Sequence, residues 1–310
     1  MIIEYSRSKT YNFGDDLNLW LWSNFFSDEL NRKDNIYFLG IGTILSQSRY
    51  DKYLHHADKI IVLSSGCSDR DIPKISKKWQ FYGVRGPRTA AKLGLDQSYV
   101  IGDGAYLLRK VSLPTPIQKK SKTAFIPHHR SEDYIDWDTV CKKADVDFIS
   151  AKQPVEDFLS QIQSYDSIIT EAMHGAITAD ALRIPWKAVS FAPNFCNEKW
   201  FDFMESMDIK TDIIPLKFIN QNNSNLSKNI LNGTKYLFAK YFNIKKEKWS
   251  KLPVTFCKAS STEIIQLSDS IKRIKDSNSF ILSSDEKVDE ITKKLMFQVQ
   301  KLKQEYSISL

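Results

Sequence analysis

Glu171 and His174 stand where an apolar run ending at Thr170 gives way to Met173, His174, Gly175 and Ala176. Such a run is expected to be a buried strand, so it delivers both side chains to the first turn of the helix that follows. The dipole of that helix disfavours an imidazolium at its N-terminus, whereas a bound multiply charged anion restores it. A histidine so placed is an acid that arms itself when its substrate is present, and Gly175 lets the anion approach the backbone. A helix-capping or core-packed His174 is the competing reading.

Other loops carry groups of the same kind. Tyr11-Asn-Phe-Gly-Asp-Asp-Leu-Asn18 holds two carboxylates, Asp15 and Asp16, and two amides, Asn12 and Asn18. They suit the orientation and deprotonation of a sugar hydroxyl, and the acids equally suit capping of a helix that begins near Leu17. In Tyr82-Gly-Val-Arg-Gly-Pro-Arg88, Pro87 fits a first helical turn, so Arg85 and Arg88 fall at a helix N-terminus. Two guanidinium forks beside free N–H groups make a site for a phosphate or carboxylate, against the alternative of surface ion pairs. Pro127-His128-His129-Arg130 also ends an apolar run, as an anion-contacting loop or a packed histidine pair; no further ligands stand nearby at metal-site spacing. Gly40-Ile-Gly-Thr43 has Leu45 where the third glycine of a dinucleotide fingerprint belongs, which argues against a nicotinamide cofactor. Ile101-Gly-Asp-Gly104 reads as a structural turn.

These loops must be positioned by short apolar runs at 2–5, 36–39, 59–63, 80–84 and 99–101, then at 123–126, 146–149, 167–170 and 186–190. Amphipathic stretches such as 155–163 and 176–182 separate them. Short apolar strands with helical crossovers predict parallel sheets covered on both faces. Pro114 and Pro116 mark 113–122 as a linker between an N-terminal α/β domain (1–112) and a C-terminal one (123–222). Two doubly wound halves place a ligand cleft between them, at the carboxyl ends of the strands. A basic, mainly helical extension is expected over 223–310.

With 310 residues, 42% hydrophobic and 26% charged, the chain is neither disordered, collagen-like nor a coiled coil. No run approaches the roughly 18 apolar residues of a membrane span, and the start has no leader pattern, so a cytoplasmic location is expected. Cys67, Cys141, Cys196 and Cys257 are 55 or more residues apart and read as reduced and structural. The net charge is +7, and residues 228–258 hold eight lysines against Glu247, so the remaining chain is neutral. Tyr236, Phe238, Tyr241, Phe242 and Trp249 interleave with those lysines, while Leu237, Tyr241 and Ile244 share a helical face. The segment is either a basic amphipathic helix for an anionic bilayer or a helix packing its apolar face on the protein. Only this tail is basic, so nucleic acid is not an expected partner.

Asn12-Phe-Gly-Asp15, Val84-Arg-Gly-Pro-Arg88 with Ile101-Gly-Asp103, Pro127-His-His129 and Glu171-Ala-Met-His-Gly175 resemble, in order and spacing, the polysaccharide pyruvyl transferase family over residues 1–195. The family's Arg-x-His-Gly pattern has an arginine where this chain has Ala172. The resemblance implies two Rossmann-like domains in a GT-B-like arrangement, acceptor side first and donor side second. It also implies transfer of pyruvate from phosphoenolpyruvate to two hydroxyls of one sugar as a cyclic ketal. Against that reaction, Arg85, Arg88, His128, His129, Arg130 and Gly175 are the expected donor contacts. His174 is the expected acid, with Glu171 orienting it; Asp15 or Asp16 is the base, and Asn12 and Asn18 hold the acceptor. No metal, nicotinamide or other cofactor is required. The expected acceptor is a saccharide of a cell-surface polysaccharide or its lipid-linked precursor, which would bring the enzyme to the inner membrane face. A GT-B-type glycosyltransferase using a nucleotide sugar is the alternative, and a non-catalytic saccharide-binding protein the third reading.

Overall fold

Ten strands form two five-stranded sheets among the residues described by the computed structural model, which are 1–8, 10–26, 35–221, 226–242, 258–277 and 279–306. The first sheet contains β1 (Ile2–Ile3), β2 (Ile36–Leu39), β3 (Thr43–Leu45), β4 (Lys59–Cys67) and β5 (Trp79–Val84). It runs β1-β2-β4, with β5 on the far edge of β4 and β3 beside the end of β4, where Thr43 faces Gly66. The second contains β6 (Lys120–Ile126), β7 (Asp147–Phe148), β8 (Tyr165–Thr170), β9 (Trp186–Ser190) and β10 (Ile214–Pro215), in the order β10-β9-β8-β6-β7. All of these pairings are parallel. The central strand β4 is buried from Ile60 to Cys67, as expected of a strand covered on both faces.

The helices are α1 (Phe13–Ser23), α2 (Gln47–Arg49), α3 (Pro87–Leu93), α4 (Trp137–Lys143), α5 (Val155–Ile162), α6 (Met173–Ala181), α7 (Asn197–Ser206), α8 (Leu226–Tyr241), α9 (Ser261–Asp276) and α10 (Asp285–Tyr306). Pro87 opens α3, and Gly94 closes it in the left-handed conformation (φ 65°), where a side chain would be strained. One hydrophobic cluster joins the sheets: Leu17 and Trp22 of α1 share it with Leu63, Tyr106, Ile126, Ile168 and Trp186. Val288, Ile291, Leu295, Val299 and Leu302 of α10 bury in that cluster at near-heptad spacing, worth about 2 kcal/mol each. The helix α9 instead packs Ile264, Leu267, Ile271 and Ile274 against Val140, Ala144 and Val146.

Differences from the expected elements lie in the shortest ones. Residues 99–101 form only an isolated bridge, Val84 to Val100, after a 3-10 turn at Gln97–Tyr99. The two- and three-residue strands β10 and β3 are too short to show a period. β6 starts at Lys120, inside the expected linker, because the Lys120 N–H donates to the Ser164 carbonyl at 2.7 Å. On α8 the apolar side chains do not pack: Leu237, Phe238 and Phe242 are more than half exposed, and Tyr241 is 85% exposed. Ile244, Lys245, Lys246, Lys248 and Trp249 lie outside the described residues. Among the described residues no helix is long and apolar enough to cross a membrane, and Cys67, Cys141 and Cys196 form no disulfide.

Candidate active site

In the second sheet the chain passes from β6 outward to β7 and then returns to place β8 on the other side of β6. At such a reversal the loops leaving the two neighbouring strands diverge, which opens a crevice at their carboxyl ends. The loop after β6 carries His128, His129 and Arg130; the loop after β8 carries Ala172, His174 and Gly175. Both face the first turn of α1, and together with Asn12, Asp15 and Thr43 they line a cleft of about 310 Å³.

The two acids of the first loop have different positions. Asp16 Oδ2 accepts the Asn12 N–H at 2.8 Å and so holds the start of α1. Asp15 lines the cleft, where Oδ2 accepts from Asn12 Nδ2 at 2.6 Å. Burial raises the pKa of Asp15; His174, Asn12 and Lys199 pull it down and Asp16 adds to the rise. Asn18 is fully buried rather than in the cleft: its amide bonds both the N–H and the carbonyl of Ile41, at 2.7 and 3.0 Å, fastening the loop after β2 to α1. Gly14 is required here, because a Cβ would collide with Nδ1 of His174.

His174 is the second residue of α6, as expected from the sequence. Its Nε2 lies 3.8 Å from Oδ2 of Asp103, the residue that caps the 3-10 segment Gly104–Lys110. Glu171 is buried and makes its hydrogen bonds elsewhere: it accepts from the backbone N–H groups of His128 (3.0 Å), Phe191 (3.2 Å) and Ala192 (2.8 Å). It therefore ties the loops after β6, β8 and β9 together instead of orienting the imidazole.

The histidine pair is held uncharged. Burial, then Lys199, His129, Arg130 and His174, keep the pKa of His128 well below the ordinary value, and His128 Nδ1 accepts the Arg130 N–H at 3.3 Å. Burial, then Arg130, Lys199 and Lys152, lower the pKa of His129 to about 4. Two half-buried imidazoles crowded by cations form a site that gains from an anion.

The two arginines of the first half do not line the cleft. Arg85 is fully buried, with Nε 3.0 Å and Nη2 2.9 Å from Asp202 Oδ2 and Nη1 donating to Thr43 Oγ1 at 2.8 Å. Arg88 pairs with Glu198 at 2.8 Å and Glu205 at 2.6 Å. Asp202 also accepts the Thr89 N–H at 2.9 Å, so the anion at the N-terminus of α3 is a carboxylate of α7 and not a ligand. Sequence reasoning missed Lys199 and Asn194, which line the cleft after β9, and Asp103 behind it. The available signal was position: the loop after 186–190 leaves the carboxyl edge of a strand, and Asp103 follows the bridge at Val100. Burial lowers the pKa of Lys199, and the Arg85 charge adds to that, while Cys196, Asp15 and Glu171 oppose it.

Among the described residues no three His, Cys, Asp or Glu side chains are grouped to hold a metal ion. A family model described as polysaccharide pyruvyl transferase matches residues 2–190. The chain is also 33% identical over 207 residues to the succinoglycan biosynthesis protein ExoV of Rhizobium meliloti (strain 1021). That similarity covers 66% of this chain and 64% of the relative, so the chain spans less than two thirds of that protein's length. No solved structure matches.

Proposed function

Because the chain belongs to the polysaccharide pyruvyl transferase family, we propose that it transfers pyruvate from phosphoenolpyruvate to two hydroxyls of a saccharide, forming a ketal. The two sheets are read as a GT-B-like pair with the cleft between them. One observation carries the reading: His174 shares its cleft with Lys199, Arg130, His128 and His129 and with the carboxylate of Asp15. Phosphoenolpyruvate is a small trianion, and a half-buried cationic cleft binds it while raising the proton affinity of the imidazoles. Lys199 and Arg130 supply cations to the cleft that Ala172, at the position of the family's arginine, also lines.

In this mechanism His174 gives a proton to the methylene carbon of the donor. The adjacent carbon is then attacked by an acceptor hydroxyl whose proton passes to Asp15. The raised pKa of that carboxyl suits it to take the proton. Phosphate leaves as the carbon–oxygen bond breaks, and a second hydroxyl closes the ring, its proton leaving with the phosphate. Asn12 orients the acceptor through Asp15, and Glu171 fixes the loops that carry the donor site.

The acceptor is read as part of a cell-surface polysaccharide or its lipid-linked precursor. The exposed apolar face of α8, next to a lysine-rich segment, supports contact with an anionic membrane at its cytoplasmic face.

Incubation with phosphoenolpyruvate and candidate saccharides tests the function. Acceptor-dependent phosphate release is expected, and His174→Gln should lower it by at least about 10²-fold while remaining folded. If a nucleotide sugar, and not phosphoenolpyruvate, raises the melting temperature, the donor assignment is wrong.

A further inference from the structure

Resting on that reading, we propose that Asp103 is the positioning residue of His174. Its carboxylate holds the imidazole through Nε2 and leaves Nδ1 to transfer the proton. Asp103 Oδ1 accepts the Ala105 N–H at 3.0 Å, which fixes the carboxylate at the start of the 3-10 segment. The other oxygen, Oδ2, is buried without a hydrogen-bond partner and lies 3.8 Å from His174 Nε2, which is also buried and unpartnered. A buried carboxylate oxygen facing a buried ring nitrogen is satisfied when that nitrogen carries a proton. At 3.8 Å the two atoms are beyond hydrogen-bond distance, and catalytic contacts that are long in the free enzyme often tighten in the substrate complex.

The opposite side of the ring faces Gly14, where a Cβ would collide with Nδ1, and both residues line the cleft. The imidazole is thus held between an anchored carboxylate and a glycine that leaves room for it. Among the described residues Asp15 from α1 and His128 from the loop after β6 interact with it electrostatically, and Lys199 of α7, His129 and Arg130 line the same cleft. Asp15 and Asp103 bring carboxylates to the ring and Lys199 an ammonium, while His128 stays neutral. When the Nδ1–H bond breaks, its electron pair stays on the ring and the proton forms the new methyl C–H bond of the donor. The ring is left neutral with Nε2–H on Asp103, so the next proton returns to Nδ1.

Asp103→Asn keeps an oxygen to cap Ala105 and removes the charge; Asp103→Ser also caps and serves if the first variant does not fold. In ¹³C-histidine-labelled protein, with the His174 resonance assigned by its loss in His174→Gln, the titration midpoint should fall by about one pH unit in Asp103→Asn. The Nε2–H tautomer preference should weaken too. In steady-state kinetics the basic limb of the kcat profile should move down by a similar interval, with KM for phosphoenolpyruvate changed less than about twofold and partial recovery in Asp103→Glu. An unchanged midpoint and tautomer overturn the proposal, as does a loss of kcat equal at every pH. The titration needs no turnover. If the wild-type protein releases no phosphate from phosphoenolpyruvate, the functional reading fails while the imidazole titration still decides the role of Asp103.

Discussion

Among the described residues Lys199 forms no ion pair in the cleft; burial lowers its pKa, and Asp15 and Glu171 pull it the other way. On the proposed function, an anionic donor would supply its partner. Lys199→Met is expected to weaken phosphoenolpyruvate binding by about 10- to 100-fold, the worth of one charge-assisted hydrogen bond. Calorimetry would reject this if affinity stayed within twofold. The histidine pair gives a pH signature. The pKa of His129 is about 4 when folded and near 6.5 when unfolded. Between those values the unfolded chain binds more protons, so stability should decline as pH falls from about 6.5 towards 4. His128 has its pKa lowered in the same direction, so a His128→Asn, His129→Asn double variant should show a shallower decline in urea titrations across that window. A decline of the same steepness in the double variant would contradict the depressed values.

At the scale of elements, α3 and α7 interlock through charge. Arg85 and the α3 N-terminus make an attractive site for any carboxylate, and Asp202, 117 residues along the chain, fills it. Asp202→Asn would leave a buried guanidinium without its counter-charge, at a cost of about 3 to 5 kcal/mol. Urea unfolding measures this directly, and a loss below 1 kcal/mol would show that the pair is not an interlock. Because Arg85 also holds Thr43, a lining residue, loosening the pair should disturb the first-sheet wall of the cleft as well.

At the scale of the whole molecule, one lysine-rich segment of the sequence also carries a group of exposed apolar side chains. Ile230, Leu231, Leu237, Phe238, Tyr241 and Phe242 are exposed on and just after α8, within the segment whose eight lysines carry the protein's net charge. On the proposed membrane reading these side chains enter the bilayer interface, and the lysines match anionic lipid at about 1 kcal/mol per nearby residue. Co-sedimentation with anionic vesicles at low salt is expected, with little binding to neutral vesicles. Changing Lys245, Lys246 and Lys248 to Glu should release the protein. Failure to bind anionic vesicles at low salt would rule out the membrane reading of α8.

The local order of residues determined which loops end strands, and hence that Asn12, Asp15, His128, His129, Arg130, His174 and Gly175 would gather at the carboxyl edges. A strand followed by a helix presents its connecting loop there whatever else the chain does. Apolar runs of four or more residues likewise identified the principal strands, while β3 and β10 carried too few residues to show a pattern. Tertiary packing decided what each loop faces. Arg85 and Arg88 look like a donor clamp until α7 brings three carboxylates to them, and Asn18 looks like an acceptor ligand until Ile41 takes both halves of its amide. Asp103 looks like a turn residue until α6 sets His174 against it. Lys199 shows no spacing signal, because its neighbours in the cleft come from other elements. Sequence periodicity records how a segment meets its own sheet; the charge balance of a cleft depends on groups far apart in the chain, and only folding brings those into contact.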